Sequence, residues 1–259
     1  MVAAPAETLS LEVSGPEAAA LAGLGDDNLV LRAARALAAQ YAPAISPGAA
    51  LCLDKHLPVA SGIGGGSSDA AAALRALAAL WRRPLDAAAM AIAAQLGADV
   101  PACLDGRPVW VGGIGERLDP LPGLPRLGIV LANPRGELPT ASVFRARQGG
   151  FAAGERARID IPDAATLIAV LRECRNDLTD AALSLMPEIA ALLARLAALP
   201  GACLARMSGS GATCFALFAD RGAAERAAAL LAAAEKRWWV KAGVLLSEPV
   251  AVHRGAAAC

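Results

Sequence analysis

A glycine-rich stretch at residues 58–69, with the sequence P-V-A-S-G-I-G-G-G-S-S-D, is the part of the chain whose composition most directly suggests chemistry. Its glycines let the backbone turn where side chains would clash, and it continues into the alanine-rich residues 70–80, a strong helix-forming segment. Ser67, Ser68 and Asp69 are residue types that cap helix N-termini, so we expect the loop to open directly onto a helix. The N–H groups and dipole at such a helix start favour an anion. The stretch therefore predicts a phosphate-binding loop.

A glycine cluster on its own is weak evidence, because an ordinary turn before a helix has the same composition. The sequence does exclude two familiar nucleotide-binding loops. No Gly-Lys-Ser or Gly-Lys-Thr follows the glycines, as a P-loop requires, and the spacing is not that of a dinucleotide fingerprint. A different type of phosphate loop and a structural turn both remain open at this point.

Two further segments carry residue types that suit phosphoryl transfer. Asp99 lies within residues 97–101 (G-A-D-V-P), where a carboxylate is usually a turn cap but can also accept a proton. Residues 208–211 (S-G-S-G) form a second glycine-serine loop before an apolar, alternating strand. The N–H groups of this second loop could support the first loop or reach an anion themselves.

Candidate ligand-contacting side chains outside these loops are fewer. Thr140 and Phe144 lie in a segment that reads as a polar loop, where an aromatic ring can stack on a flat base or pack into the core. Lys55 precedes the glycine loop, where a cation could approach a nucleotide, although we expect it to be a solvated edge residue.

Composition restricts the class of protein. The chain has 259 residues, 56% of them apolar, with 24 basic and 24 acidic residues interspersed. This excludes a disordered chain, and it offers no basic patch for nucleic acid. We find no membrane-spanning run or signal peptide and expect a cytoplasmic protein. With two histidines and no C-x-x-C pair, we expect no protein metal site.

Hydrophobic periodicity predicts an α+β chain in two halves. The densely Pro- and Gly-containing residues 116–125 suggest a boundary, which we place between a domain at 1–122 and a domain at 123–259. Predicted strands lie at 8–13, 50–57, 127–131 and 240–246, and predicted helices at 29–40, 86–96, 186–199 and 222–237.

Taken together, the motifs resemble those of the GHMP small-molecule kinases. The glycine stretch matches the signature P-x-x-x-G-L-G-G-G-S-S-D-A-A with Ile63 in place of leucine, a volume-conserving change. The segments G-A-D-V-P, T-x-x-x-F and M-S-G-S-G follow in the family's order. Among these kinases the chain is most similar to those that act on 4-diphosphocytidyl-2-C-methyl-D-erythritol in the non-mevalonate isoprenoid pathway. The resemblance implies a two-domain GHMP-type fold with the active site in the cleft between the domains.

The resemblance also implies roles for individual residues. It makes Asp99 the base that accepts the proton of the substrate 2-hydroxyl, and Mg²⁺ would be carried by the nucleotide, with Ser68 and Asp69 as candidates for a direct protein ligand. It also places Asn28 where it could hydrogen-bond the base of the nucleotide, although helix capping explains this residue equally well. Thr140 and Phe144 would contact the cytidine end of the substrate, and Ser208, Gly209, Ser210 and Gly211 would support the phosphate loop. ATP would be bound by Pro58, Val59, Ala60, Ser61, Gly62, Ile63, Gly64, Gly65, Gly66, Ser67 and Ser68.

The sequence departs from the family pattern near its start. Members normally begin with a P-A-K-I-N-L strand that supplies a lysine, followed by a G-Y-H segment, and neither occurs here. We therefore expect a weak or inactive kinase, acting as a monomer or weak homodimer. The alternatives are a GHMP kinase for another alcohol, such as homoserine or a mevalonate derivative, and a nucleotide-binding protein without catalysis.

Overall fold

The computed structural model describes residues 1–41, 48–121, 123–151, 161–246 and 248. The chain forms two compact units. The first contains the described residues within 1–59 and 64–121 together with Glu248, and the second contains 60–63 and the described residues within 122–247. The glycine stretch is therefore divided, since residues 60–63 belong to the second unit and the residues on either side belong to the first.

A three-stranded sheet and four helices make up most of the first unit. The sheet has the order β1-β3-β2, with β1 antiparallel and β2 parallel to the central β3. The elements of the first unit, in chain order, are β1 (Val2–Pro5), β2 (Leu9–Ser14), α1 (Leu29–Tyr41), β3 (Ala49–Asp54), α2 (Gly65–Leu80), α3 (Ala87–Leu96), α4 (Val100–Asp105), and a separate hairpin of β4 (Val109–Gly112) and β5 (Arg117–Pro120).

The core of the first unit lies between its sheet and helices. Leu51 on β3 packs in one cluster with Leu37 on α1 and with Leu74 and Leu77 on α2, all of them almost fully buried. Many of the remaining core positions are alanines, which let α1 and α2 lie against each other. The helix starts follow local capping rules, because Asn28 accepts a hydrogen bond from Val30 N–H and Asp86 accepts from the first turn of α3.

An antiparallel sheet with the order β7-β8-β6-β9 is the centre of the second unit. A cluster containing Ile189, Leu192, Met207 and Phe218 forms its main core. The elements are β6 (Gly128–Asn133), α5 (Thr140–Ala146), α6 (Ala164–Glu173), α7 (Thr179–Leu185), α8 (Glu188–Ala197), β7 (Leu204–Met207), β8 (Cys214–Phe218), α9 (Arg221–Ala234) and β9 (Trp239–Val244).

Each unit mixes helices with strands, which confirms the α+β prediction. Within the part of the chain that the structure describes, no helix combines the length and the apolar character needed to cross a membrane. The periodicity did not predict β1, or the short helices α4, α5 and α7. The segment of Thr140 and Phe144 was predicted to be a loop, and this is wrong, because both residues lie on α5.

Candidate active site

The phosphate-loop prediction concerns the start of α2. This helix begins at Gly65, and Gly64 precedes it in the left-handed region, with φ of 66° and no side-chain cap. The expectation that Ser67, Ser68 or Asp69 caps the helix is therefore wrong, because all three residues already lie within it, after Gly65 and Gly66. The loop does open directly onto a helix, and the N–H groups of Gly65, Gly66 and Ser67 precede the first N–H that bonds within it, that of Ser68 to the Gly64 carbonyl.

Asp99 lies beside this helix start, within the same unit. A Cβ built on Gly64 would lie 3.9 Å from Oδ2 of Asp99. Asp99 occupies the position before α4, but its side chain makes no capping hydrogen bond. The carboxylate is thus not engaged as a cap, and Gly64 beside it has no side chain. The structure brings Asp99 together with Gly64 of the predicted site.

Lys55 is held beneath the same helix start. Its side chain is only 3% exposed and forms an ion pair with Asp69, which is 17% exposed. The ammonium Nζ lies 3.3 Å from the position of a Cβ on Gly65. The interpretation of Lys55 as a solvated edge residue is therefore wrong.

Ser68 and Cys103 connect the first turn of α2 with α4. Ser68 Oγ lies 3.5 Å from Cys103 Sγ. Burial raises the pKa of the Cys103 thiol; the hydrogen bond with Ser68 lowers this pKa, the negative charge of Asp99 raises it, and the positive charge of Arg75 lowers it. The charges of Asp99 and Arg75 therefore both influence the pKa of the Cys103 thiol.

Residues 60–63 of the glycine stretch make their contacts within the second unit. Ser208 Oγ donates a hydrogen bond to the Gly62 carbonyl at 2.9 Å, and Thr213 N–H donates to the Ser61 carbonyl at 3.1 Å. Gly62 has φ of 74°, and a Cβ there would lie 2.7 Å from the Ser208 carbonyl oxygen and 2.8 Å from Gly211 N. Only glycine fits this close backbone contact.

The predicted substrate-contacting residues lie next to the second glycine-serine loop. Thr140 Oγ1 and Ser210 Oγ form a hydrogen bond of 2.9 Å. Phe144 is 50% exposed on α5, so its ring is not packed into the core. The structure thus brings Thr140 together with Ser210 of this loop, and it leaves half of the Phe144 side chain exposed.

Asn176 is a residue whose role the sequence did not show. Its Oδ1 accepts a hydrogen bond from Leu178 N–H at 3.0 Å, but its Nδ2 also donates to the carbonyls of Gly209, at 2.7 Å, and Met207, at 3.2 Å. The amide therefore holds the second glycine-serine loop, a long-range contact that no local pattern indicates.

No group of three or more His, Cys, Asp or Glu side chains that could hold a metal ion occurs among the described residues. Asp69 is already engaged by Lys55, and Ser68 offers a single hydroxyl. These two oxygen ligands suit a metal ion that is coordinated mainly by other groups, as Mg²⁺ is when nucleotide phosphates bind it.

Comparison with known families matches the two halves of the chain separately. Residues 28–107 match the model of the GHMP kinases N terminal domain, and residues 158–236 match that of the GHMP kinases C terminal domain. The first match contains the residues of α2 and Asp99, and the second contains residues 208–211.

Proteins named 4-diphosphocytidyl-2-C-methyl-D-erythritol kinase are similar over most of the chain. The one from Cereibacter sphaeroides is 53% identical over 92% of this chain and 82% of its own length. The one from Rhodospirillum rubrum is 49% identical over 97% of this chain and 82% of its own.

Solved structures agree with these relatives. A crystal structure of a 4-(cytidine 5'-diphospho)-2C-methyl-D-erythritol kinase superposes with a TM-score of 0.71 at 36% identity, covering 93% of this chain and 84% of that one. A homoserine kinase from Cytophaga hutchinsonii, at 17% identity, a TM-score of 0.58 and coverage of 93% and 83%, shares the fold. From the motifs, both domain matches and the identity to these relatives, the chain belongs to the 4-diphosphocytidyl-2-C-methyl-D-erythritol kinase family of the GHMP kinases.

Proposed function

We propose that this protein transfers the γ-phosphoryl group of ATP to the 2-hydroxyl of 4-diphosphocytidyl-2-C-methyl-D-erythritol. Two of the relatives described above carry the name of this reaction. The observation that carries the proposal is the pairing of a helix start with a carboxylate. Asp99 Oδ2 lies 3.9 Å from the Cβ position of Gly64, immediately before the N–H groups of α2.

This pairing supplies two parts of the chemistry. Backbone N–H groups at the start of α2 bind the phosphate oxygens and stabilise the negative charge that they carry in the transition state. Asp99 orients the substrate hydroxyl and accepts its proton as the oxygen attacks phosphorus. Because phosphoryl transfer depends mainly on positioning and charge stabilisation, no covalent intermediate on the protein is required.

We propose that residues 58–68 bind ATP and that Mg²⁺ comes with the nucleotide. Bound Mg²⁺ neutralises charge on the phosphates. The donors in the described part of the chain fit an ion held largely by phosphate and water, with Ser68 as the nearest hydroxyl of the loop. Lys55 contributes positive charge beneath the loop, and it keeps Asp69 in an ion pair.

Thr140 and Phe144 are our candidates for binding the cytidine end of the substrate. The half-exposed ring of Phe144 can stack on a base, which contributes about 1 kcal/mol beyond burial of the ring. Ser210 holds the Thr140 hydroxyl, and the loop of Ser208, Gly209, Ser210 and Gly211 holds Gly62. These contacts support a role for that loop in shaping the substrate and nucleotide sites.

We also propose a domain boundary, a cellular compartment and an oligomeric state. The domain boundary lies between residues 122 and 123, and the protein acts in the cytoplasm, where ATP is available, as a monomer or weak homodimer. Size-exclusion chromatography with light scattering across a concentration series tests the oligomeric state.

The test of the function is ADP formation with 4-diphosphocytidyl-2-C-methyl-D-erythritol, homoserine and mevalonate offered separately. We expect turnover with the first alcohol only, and a loss of about 100-fold or more in kcat for Asp99→Asn with ATP affinity retained. Turnover with homoserine or mevalonate instead would assign another alcohol. ATP binding by calorimetry without turnover on any alcohol would show a nucleotide-binding protein without catalysis.

A further inference from the structure

Arg75 joins the two helices that carry the proposed site. It lies on α2, the helix that begins at the glycine loop, and its side chain is partly buried. Its Nη2 donates hydrogen bonds to the carbonyl oxygens of Cys103, at 3.1 Å, and Leu104, at 2.5 Å. Both carbonyls belong to the last turn of α4, the helix that Asp99 precedes.

The contact is strong for its kind. Carbonyl groups at a helix C-terminus lack partners within the helix and carry a partial negative charge, so a guanidinium there is favourable. A hydrogen bond from a charged donor is stronger than one between neutral groups. Here two such bonds, made by one guanidinium nitrogen, fasten the end of α4 to the side of α2.

The short length of α4 turns this contact into a constraint on Asp99. The helix contains six residues, and Cys103 N–H donates back to the Asp99 carbonyl at 3.0 Å. A helix of this length moves as one piece, so a shift of its C-terminus also shifts the residue at its start. Since α2 carries both the glycine loop and Arg75, one rigid helix sets the position of the loop and of α4.

We infer that Arg75 is a positioning residue that fixes Asp99 relative to the phosphate-binding loop. The inference rests on the proposed function, and it goes beyond it because Arg75 touches neither Asp99 nor the loop in the contacts described. A displacement of a reacting group by about 1 Å can cost up to about 100-fold in rate, so the two hydrogen bonds can control turnover from a distance.

Three variants test the inference. Arg75→Met removes the donors while keeping an unbranched stem, and we expect kcat to fall about tenfold, with KM for ATP changed less than about twofold because the loop stays on α2. Arg75→Lys retains a charged donor and should recover part of kcat. Arg35→Met is the matched control: this exposed arginine on α1 pairs with Asp26, and its loss should leave turnover unchanged.

A double-mutant cycle separates positioning from general destabilisation. If Arg75 acts through Asp99, the variant Arg75→Met/Asp99→Asn has the same residual rate as Asp99→Asn alone. The inference would be overturned if Arg75→Met lowered kcat by the same factor in the wild-type protein and in Asp99→Asn. Full activity of Arg75→Met would overturn it as well.

Failure of the proposed function gives a different result. If the wild-type protein turns over none of the three alcohols, the proposed function fails. The effect of Arg75 on α4 is then measured as the rate of amide hydrogen exchange. Arg75→Met should then accelerate exchange at the amides of residues 99–105 at least tenfold and leave the first turn of α2 unchanged. Unchanged exchange at 99–105 would overturn the inference about Arg75 as well.

Discussion

At the scale of single residues, Gly64 leaves space between the start of α2 and the Asp99 carboxylate because it has no side chain. Its φ of 66° places it in the left-handed region, and the nearest atom to a Cβ there is Asp99 Oδ2 at 3.9 Å. A side chain at this position would therefore cost backbone strain and would also occupy the space in front of Asp99. Adding a single methyl group at Gly64 would therefore produce both effects.

Gly64→Ala should separate these two effects. We expect a stability loss of about 1–2 kcal/mol from the left-handed backbone and, in addition, a fall in kcat/KM of at least about tenfold because the methyl group fills the reaction space. Thermal unfolding measures the first effect, and ADP formation at a temperature where the variant is folded measures the second.

Gly149→Ala is the matched control for this substitution. Gly149 has φ of 78°, and a Cβ there meets nothing within 4 Å. It should lose similar stability without losing activity. If both alanine variants lost activity equally, or if Gly64→Ala were fully active, the space in front of Asp99 would not be the reaction space.

At the scale of secondary-structure elements, the ion pair of Lys55 and Asp69 connects the residue after β3 to the N-terminal part of α2. Lys55→Met leaves a carboxylate with little solvent, and Asp69→Asn leaves a buried ammonium, so each single variant should lose about 3 kcal/mol. The double variant Lys55→Met/Asp69→Leu should recover much of this loss, because no unpaired charge remains. Urea unfolding measures all three.

A solvent-exposed ion pair is the control for this prediction. Arg35 and Asp26 also form an ion pair, but their side chains are 49% and 84% exposed. Arg35→Met should cost less than about 1 kcal/mol. A loss at Lys55 no larger than the loss at Arg35 would contradict the idea that a buried charge joins β3 to α2.

Asn176 acts on another element, the loop of residues 208–211. Asn176→Asp keeps the acceptor for Leu178 N–H but turns a carboxylate oxygen toward the carbonyls of Met207 and Gly209. Losing both donor bonds should cost about 2 kcal/mol. We expect faster hydrogen exchange at residues 207–211, a lower unfolding midpoint and a reduced kcat/KM.

A charge added nearby is the control for Asn176→Asp. Gln148 lines the same cavity of about 500 Å³ as Asn176, and its side chain is exposed. Gln148→Glu adds one negative charge to this cavity while leaving the Asn176 amide in place, and it should leave exchange in the loop unchanged. Similar effects from both variants would assign the result to charge alone.

Local rules explain what the sequence could predict about these elements. The starts of α1 and α3 follow from capping by Asn28 and Asp86, because the capping residue and its partner are two or three positions apart. The start of α2 was misplaced because a left-handed Gly64, not a polar side chain, precedes it. The sequence still predicted that the loop opens onto a helix, because the glycines and the helix formers are contiguous.

Contacts between distant segments explain what could not be predicted. Lys55 meets Asp69, Arg75 meets the end of α4, and Asn176 meets Gly209, and each contact depends on how whole elements pack. The residue types at these positions carry no local signal that tells a buried partner from a solvated side chain. Asp99 was found from its motif, but its proximity to Gly64 required the fold.

At the scale of the whole molecule, the chain has a separate core in each unit. The cluster around Leu77 belongs to the first unit and the cluster around Leu192 to the second, and the two clusters share no residue. Both leucines are 0% exposed. Because cooperative unfolding follows a shared core, each unit should have its own free energy of unfolding.

Leu77→Ala and Leu192→Ala test this independence. Each should lose about 2–5 kcal/mol, because deletion of a buried side chain removes apolar contacts and leaves a cavity, whereas Leu230→Ala, at a position 56% exposed, should have little effect. Hydrogen exchange should accelerate in α1 and α2 for the first variant and in α8 and β8 for the second. Equal acceleration in both units from either variant would mean that the molecule unfolds as one body, and a substitution in one core would then act on the site residues of both.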